Sequence, residues 1–211
     1  MRVIHKCGIT IFQRKERSHI LARSEIEASG SGETRTYAYL RACAKFAYRQ
    51  LSEKGNEGSS FYILQTMTFC AFAMEAYLNH LGAKRLNHWS TIGRKLGPED
   101  KLDLLLELNK GSVDKSRRPF QTFSSMVTFR NLIVHGQTET ITKPSVMTKI
   151  DGSVDVTFPT KWQSMLTKFN AKRYLDDLDE LFVKIAEQAG VDYEHPAILG
   201  TSGYTTNEPS D

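Results

Sequence analysis

The densest chemistry in the chain lies within Thr128-Phe129-Arg130-Asn131-Leu132-Ile133-Val134-His135-Gly136. Histidine titrates near neutrality and can take or give a proton there. Arginine stays charged and presents a fork matched to phosphate oxygens. On a helix Arg130 and His135 are roughly 140° apart around the axis, whereas Asn131 and His135, at i and i+4, share a face. The long Arg130 side chain can bend to the same mouth, so the three groups can ring one small anion while Leu132, Ile133 and Val134 pack the turn. Cleavage of RNA through its own 2′-hydroxyl needs a base for that proton, an acid for the leaving 5′-oxygen and positive charge on the phosphorane. One motif holds one histidine and so one proton-transfer role. Two copies facing one phosphate would supply both roles without a metal. The same residues also have a structural reading, with Arg130 paired to a carboxylate and His135 placed at a helix C-terminus, where the dipole favours a cation.

Other residues bear on this site. Glu75 stands in an apolar segment near its C-terminal end, one turn before Asn79. A buried carboxylate needs a partner, and Arg130 is the obvious one, whether the pair orients the arginine for substrate or is purely structural. Lys115, Arg117 and Arg118 precede the motif and either guide an RNA backbone or form a solvated turn. Tyr62, Tyr77, Phe120 and Phe123 fall at helical spacings and are read as core. Cys7, Cys43 and Cys70 are far apart with no CxxC pair, so a disulfide framework and a thiolate zinc site are not expected. His80 and His88 match no common metal spacing. No Gly-rich phosphate loop, HExxH or Gly-x-Ser-x-Gly elbow occurs. No cofactor and no metal are expected.

The stretch Arg130-Asn131-x-x-x-His135 resembles the signature of the HEPN superfamily: an arginine, a polar residue, three residues, then histidine, near a helix end in an all-α bundle. The segment ending Ala73-Met74-Glu75-Ala76-Tyr77-Leu78-Asn79-His80-Leu81-Gly82 is also similar to the second helix of some members. The resemblance covers about residues 34–189 in outline. It implies a metal-independent endoribonuclease of toxin, antiphage or RNA-processing type. Arg130 and His135 would be catalytic, Asn131 and Glu75 supporting. A homodimer would build the site, RNA would be the substrate, and a protein antitoxin or regulator would restrain it. Cleavage would leave a 2′,3′-cyclic phosphate. The alternative is a non-catalytic HEPN-like module that binds nucleotide or protein.

The elements that must carry these residues follow from punctuation and periodicity. The 211 residues carry a net charge of +4. Four acids and no Lys or Arg lie after Gly190, so the preceding body carries +8, which suits a polyanionic partner. The first 23 residues hold six Lys or Arg against one acid. No run is long and apolar enough for a membrane helix, and no signal-peptide core is present, so a cytoplasmic location without membrane association is expected. Residues 3–12 suggest a short strand and 15–28 a short helix, ending at the break Ser29-Gly30-Ser31-Gly32. Helices are expected over 34–53, over 61–81 with Ser59 or Ser60 as N-cap and Gly82 as stop, from Pro98, from Pro119 to Gly136, and over 162–189. Alternation around Asp151-Gly152 marks a hairpin at about 145–158. The fold expected is a mostly α antiparallel bundle of about five helices with a small β-hairpin insertion. A 1–33 extension would precede the 34–189 bundle, and a flexible acidic tail, 190–211, would follow it.

Overall fold

A helix that is apolar on every side must be surrounded by others, and the segment around Met67–Leu81 is such a helix. The computed structural model describes residues 2–6, 9–13, 28–53, 58–141, 146–150, 153–157, 159–196 and 200–206. In chain order these form β1 (Arg2–Lys6), β2 (Ile9–Gln13), β3 (Ala28–Thr34), α1 (Thr36–Glu53), α2 (Ser59–Arg85), α3 (Trp89–Ile92), α4 (Pro98–Leu108) and α5 (Phe120–Val134). Then follow β4 (Val146–Ile150), β5 (Ser153–Thr157), a 3-10 turn at Gln163–Met165, α6 (Lys168–Gln188) and β6 (Gly200–Thr206). The protein is a mostly helical bundle. Two units are distinguished: residues 32–201, which hold the helices, and residues 1–31 with 202–211.

In the second unit β1 and β2 pair antiparallel, Lys6 opposite Ile9, where one short strand is expected from sequence. Strands β3 and β6 are neighbours in a separate two-stranded sheet. The helix expected over 15–28 falls outside the described residues, except that Ala28 opens β3. In the helical unit β4 and β5 pair antiparallel with Ile150 opposite Ser153. This is the hairpin that Asp151-Gly152 predicts.

Helix α2 is the axis of the bundle and packs against α1, α4, α5 and α6. Its Met67, Cys70, Met74, Leu78 and Leu81 meet Leu102 and Leu105 of α4, Phe123 and Phe129 of α5, and Leu178 and Phe182 of α6 in one core. Tyr77 is buried there too, and its hydroxyl donates to the Phe182 carbonyl at 2.9 Å, which satisfies the polar end of an otherwise apolar ring. Tyr77, Phe120 and Phe123 are core residues as their spacing predicts, and Tyr62 packs partly buried against them. Burial pushes the Cys70 thiol well up, so it acts as a small apolar group.

Three helix ends differ from the sequence reading. Helix α2 starts after Gly58, whose φ of 66° is left-handed, and neither Ser59 nor Ser60 caps it. It also runs through Gly82 to Arg85. Gly82 is there for space: a Cβ at Gly82 or at Gly93 would overlap the Trp89 indole. Overpacking of this kind costs typically about 1–3 kcal/mol. Gly82→Ala is therefore expected to lower the melting midpoint by several degrees and displace Trp89, read by calorimetry and tryptophan fluorescence. Helix α6 starts at Lys168 and not at Trp162, because the Thr167 hydroxyl accepts the Asn170 N–H at 3.0 Å and caps it.

An ion network ties α5 to α6. Asp177 of α6 is 2% exposed, and Arg118 grips its two oxygens at 2.8 and 2.5 Å. The Thr122 hydroxyl also donates to Asp177 and accepts from Arg173 Nε at 2.8 Å. Beyond α6, Gly190 takes the left-handed φ of 63° that turns the chain away. Glu194, in the segment read from sequence as a flexible tail, is ion-paired with Lys84 of α2 and, at 2.5 Å, with Arg35. The Lys84 hydrogen bond, foremost, and the charges of Lys84 and Arg35 hold the Glu194 carboxyl below the usual carboxylate range. A depressed folded-state pKa means the tether is complete at neutral pH and lost as pH falls through that value. Once intrinsic exchange rates are divided out, protection of the amides of residues 191–196 should fall between pH 6 and pH 3 more than in α2, as measured by mass spectrometry.

Candidate functional site

Helix α5 turns Phe120, Phe123, Met126 and Phe129 into the core at successive three-residue steps. That anchors the next residue, Arg130, on the flank of the helix, partly buried. Its Nη2 lies 3.2 Å from Oε2 of Glu75, and its Nη1 donates to Asn131 Oδ1 at 3.0 Å. The other Glu75 oxygen, Oε1, accepts from Lys101 Nζ at 3.1 Å. Glu75 therefore bridges a guanidinium on α5 and an ammonium on α4. The pairing of Glu75 with Arg130 is the one its burial predicts.

Lys101 carries no motif and escapes the sequence reading. It is 3% exposed and shares the inward stripe of α4 with Pro98, Leu102 and Leu105. A lysine on an apolar stripe needs a carboxylate nearby, and that was the available signal. Nothing local in the sequence marks Arg94 either. It is exposed, lines the same hollow, and has no carboxylate partner among the described residues. Glu75, Asn79, Trp89, Arg94, Lys101 and Arg130 all face a cavity of about 480 Å³.

His135 is placed differently. It is the C-cap of α5, at φ −103° and ψ 19°, with its N–H bonded to the Asn131 carbonyl at 3.0 Å. Its side chain is exposed and makes no hydrogen bond or ion pair with the described residues. It does not line the Arg130 cavity. Asn131 is also exposed and touches the site through Arg130. The structure thus joins Arg130, Asn131 and Glu75, adds Lys101, and leaves His135 free at the helix end. Beside that end lies a second, apolar groove of about 520 Å³, lined by Leu64, Phe69, Leu132, Ile133 and Trp162 among others.

The basic loop before α5 is already engaged. Lys115 lies 2.6 Å from Asp103, Arg117 3.3 Å from Asp114, and Arg118 holds Asp177. The first two are surface pairs of small worth that a polyanion could exchange. Arg118 is committed to the α5–α6 network. Among the described residues, the ligand-type groups that come together are Glu33, His80 and Glu194. Lys84 and Arg35 already neutralise that Glu194, and none of the three lines the Arg130 cavity. Burial and the charge of Lys84 lower the His80 pKa, so this imidazole is neutral at physiological pH.

Comparison with protein-family models, with curated proteins and with solved structures finds no match.

Proposed function

We propose that the protein is a metal-independent endoribonuclease of HEPN type that works as a homodimer. The observation that carries this is the brace on Arg130: Glu75, itself held by Lys101, fixes its guanidinium at a solvent-open cavity, one turn before an exposed His135 that has no partner among the described residues. A fixed arginine serves a developing phosphorane charge at less reorganisation cost than a mobile one. A free imidazole at the helix end can exchange a proton with a ribose hydroxyl or a leaving 5′-oxygen.

A single chain holds one such imidazole, and a second copy supplies the second proton-transfer group. Support for the dimer comes from apolar surface around the motif's end, with Val134 48% exposed and Leu132 and Ile133 lining the groove. The family resemblance connects such activity with toxin, antiphage or RNA-processing systems restrained by a protein partner.

The test is direct. The purified chain, in EDTA, should cut single-stranded RNA to fragments ending in 2′,3′-cyclic phosphate, and a 2′-deoxy substitution at the cut nucleotide should block that cut. Light scattering should give a dimer. Cleavage that stops in chelator and restarts with magnesium overturns the mechanism, and a fully active strict monomer overturns the assembly.

A further inference from the structure

The cavity beside Arg130 has an imbalance that the cleavage chemistry does not use. Three cationic side chains, Arg94, Lys101 and Arg130, face it against one carboxylate, Glu75. Both Glu75 oxygens are taken, by Arg130 and by Lys101. Donors are left over. Arg130 Nε is buried with no acceptor. Trp89 is 6% exposed, lines the cavity, and its indole N–H has no acceptor among the described residues. The Arg94 guanidinium has no carboxylate partner among them either.

A hollow with net charge +2 and spare N–H donors rejects cations and leaves a neutral ligand without charge balance. It matches an oxyanion, which offers several acceptors and negative charge together. At about 480 Å³ the space also exceeds a bare inorganic anion and falls in the range of pockets that hold small organic molecules. Asn79, on the wall, supplies both a donor and an acceptor for the organic part.

We propose that this cavity is a phosphate-ester subsite: it takes the phosphate of one nucleotide between Arg94 and Arg130, with the Trp89 N–H as a third donor. Naming the anion a nucleotide phosphate rests on the ribonuclease reading. The preference for an oxyanion rests on the cavity alone. The subsite lies on the Arg130 side of α5, apart from His135 of the same chain, and shares Arg130 with the proposed cleavage site.

The chain contains two tryptophans, Trp89 and Trp162, so Trp162→Phe leaves Trp89 as the reporter. Its fluorescence is titrated with uridine 5′-monophosphate, uridine and a short 2′-deoxy oligonucleotide without terminal phosphates. Calorimetry on the unaltered chain repeats each titration. The monophosphate should bind saturably and uridine at least tenfold more weakly, and Arg94→Ala should weaken monophosphate binding at least tenfold. Binding of the oligonucleotide alone assigns the subsite to an internal diester, and binding of the monophosphate alone to a terminal or free monoester. Equal responses to uridine and its monophosphate, or an Arg94→Ala chain that binds as well as the parent, overturn the proposal. Monophosphate binding in a chain that cuts no RNA sinks the ribonuclease reading and keeps the subsite. RNA cleavage with no Arg94-dependent anion binding does the reverse.

Discussion

His135→Ala is expected to cut RNA at least about a hundredfold more slowly than the parent chain, within the range for loss of a general acid or base. The fall should come with an unchanged melting midpoint, because the imidazole is exposed and holds nothing else in place. Arg130→Ala should lose a similar factor by removing charge from the phosphorane, but with a different signature. It strips one cation from Glu75, so its stability should move while that of His135→Ala does not. Mixing the His135→Ala chain with the parent tests the shared site: if both imidazoles of a dimer are needed, the heterodimers are inactive and cleavage falls more steeply than the fraction of parental chain. Near-parental cleavage by His135→Ala ends the catalytic assignment.

The second large effect is on stability and falls on Glu75. Lys101 is 3% exposed, and the Glu75 carboxylate is the counter-ion that makes its burial tolerable. Removing one partner of a buried pair leaves the other charge stranded and costs roughly 3–5 kcal/mol. Glu75 is itself only partly buried, which places Glu75→Ala near 3 kcal/mol, or about 6–12 °C in melting midpoint for a chain of this size. Lys101→Met should cost much less, since it removes the buried charge and leaves Glu75 paired with Arg130. Adding Lys101→Met to Glu75→Ala should restore most of the lost stability. Urea unfolding of the four chains reads the cycle directly. A Glu75→Ala chain as stable as the parent would mean that Lys101 reaches solvent without help.

The parts of the fold legible in sequence are those governed by local rules. Pro98 begins α4, Pro119 and Gly136 bracket α5, and the Asp151-Gly152 signal marks the pairing of β4 with β5. Each signal acts within a few residues. What could not be read depends on contacts across the chain. Gly82 looks like a helix stop, yet its reason is an indole seven residues away that needs the room. Thr167 is a residue type that caps helices, but the apolar periodicity of Trp162 and Leu166 extends the predicted helix past it. At the site, the Glu75–Arg130 pair followed from the cost of burying a lone carboxylate. Lys101 and Arg94 come from a different helix and loop, and only the tertiary arrangement makes them neighbours of Arg130. The separation of His135 from the Arg130 cavity is set by the helix ending at Val134, one residue before it.

The chain enters the helical unit along β3 and leaves it along β6, and these strands are neighbours in one sheet. Neighbouring strands lie about 4.8 Å apart, so the two ends of the helical segment are held side by side. Mechanically, the bundle is a loop with a clasp at its neck.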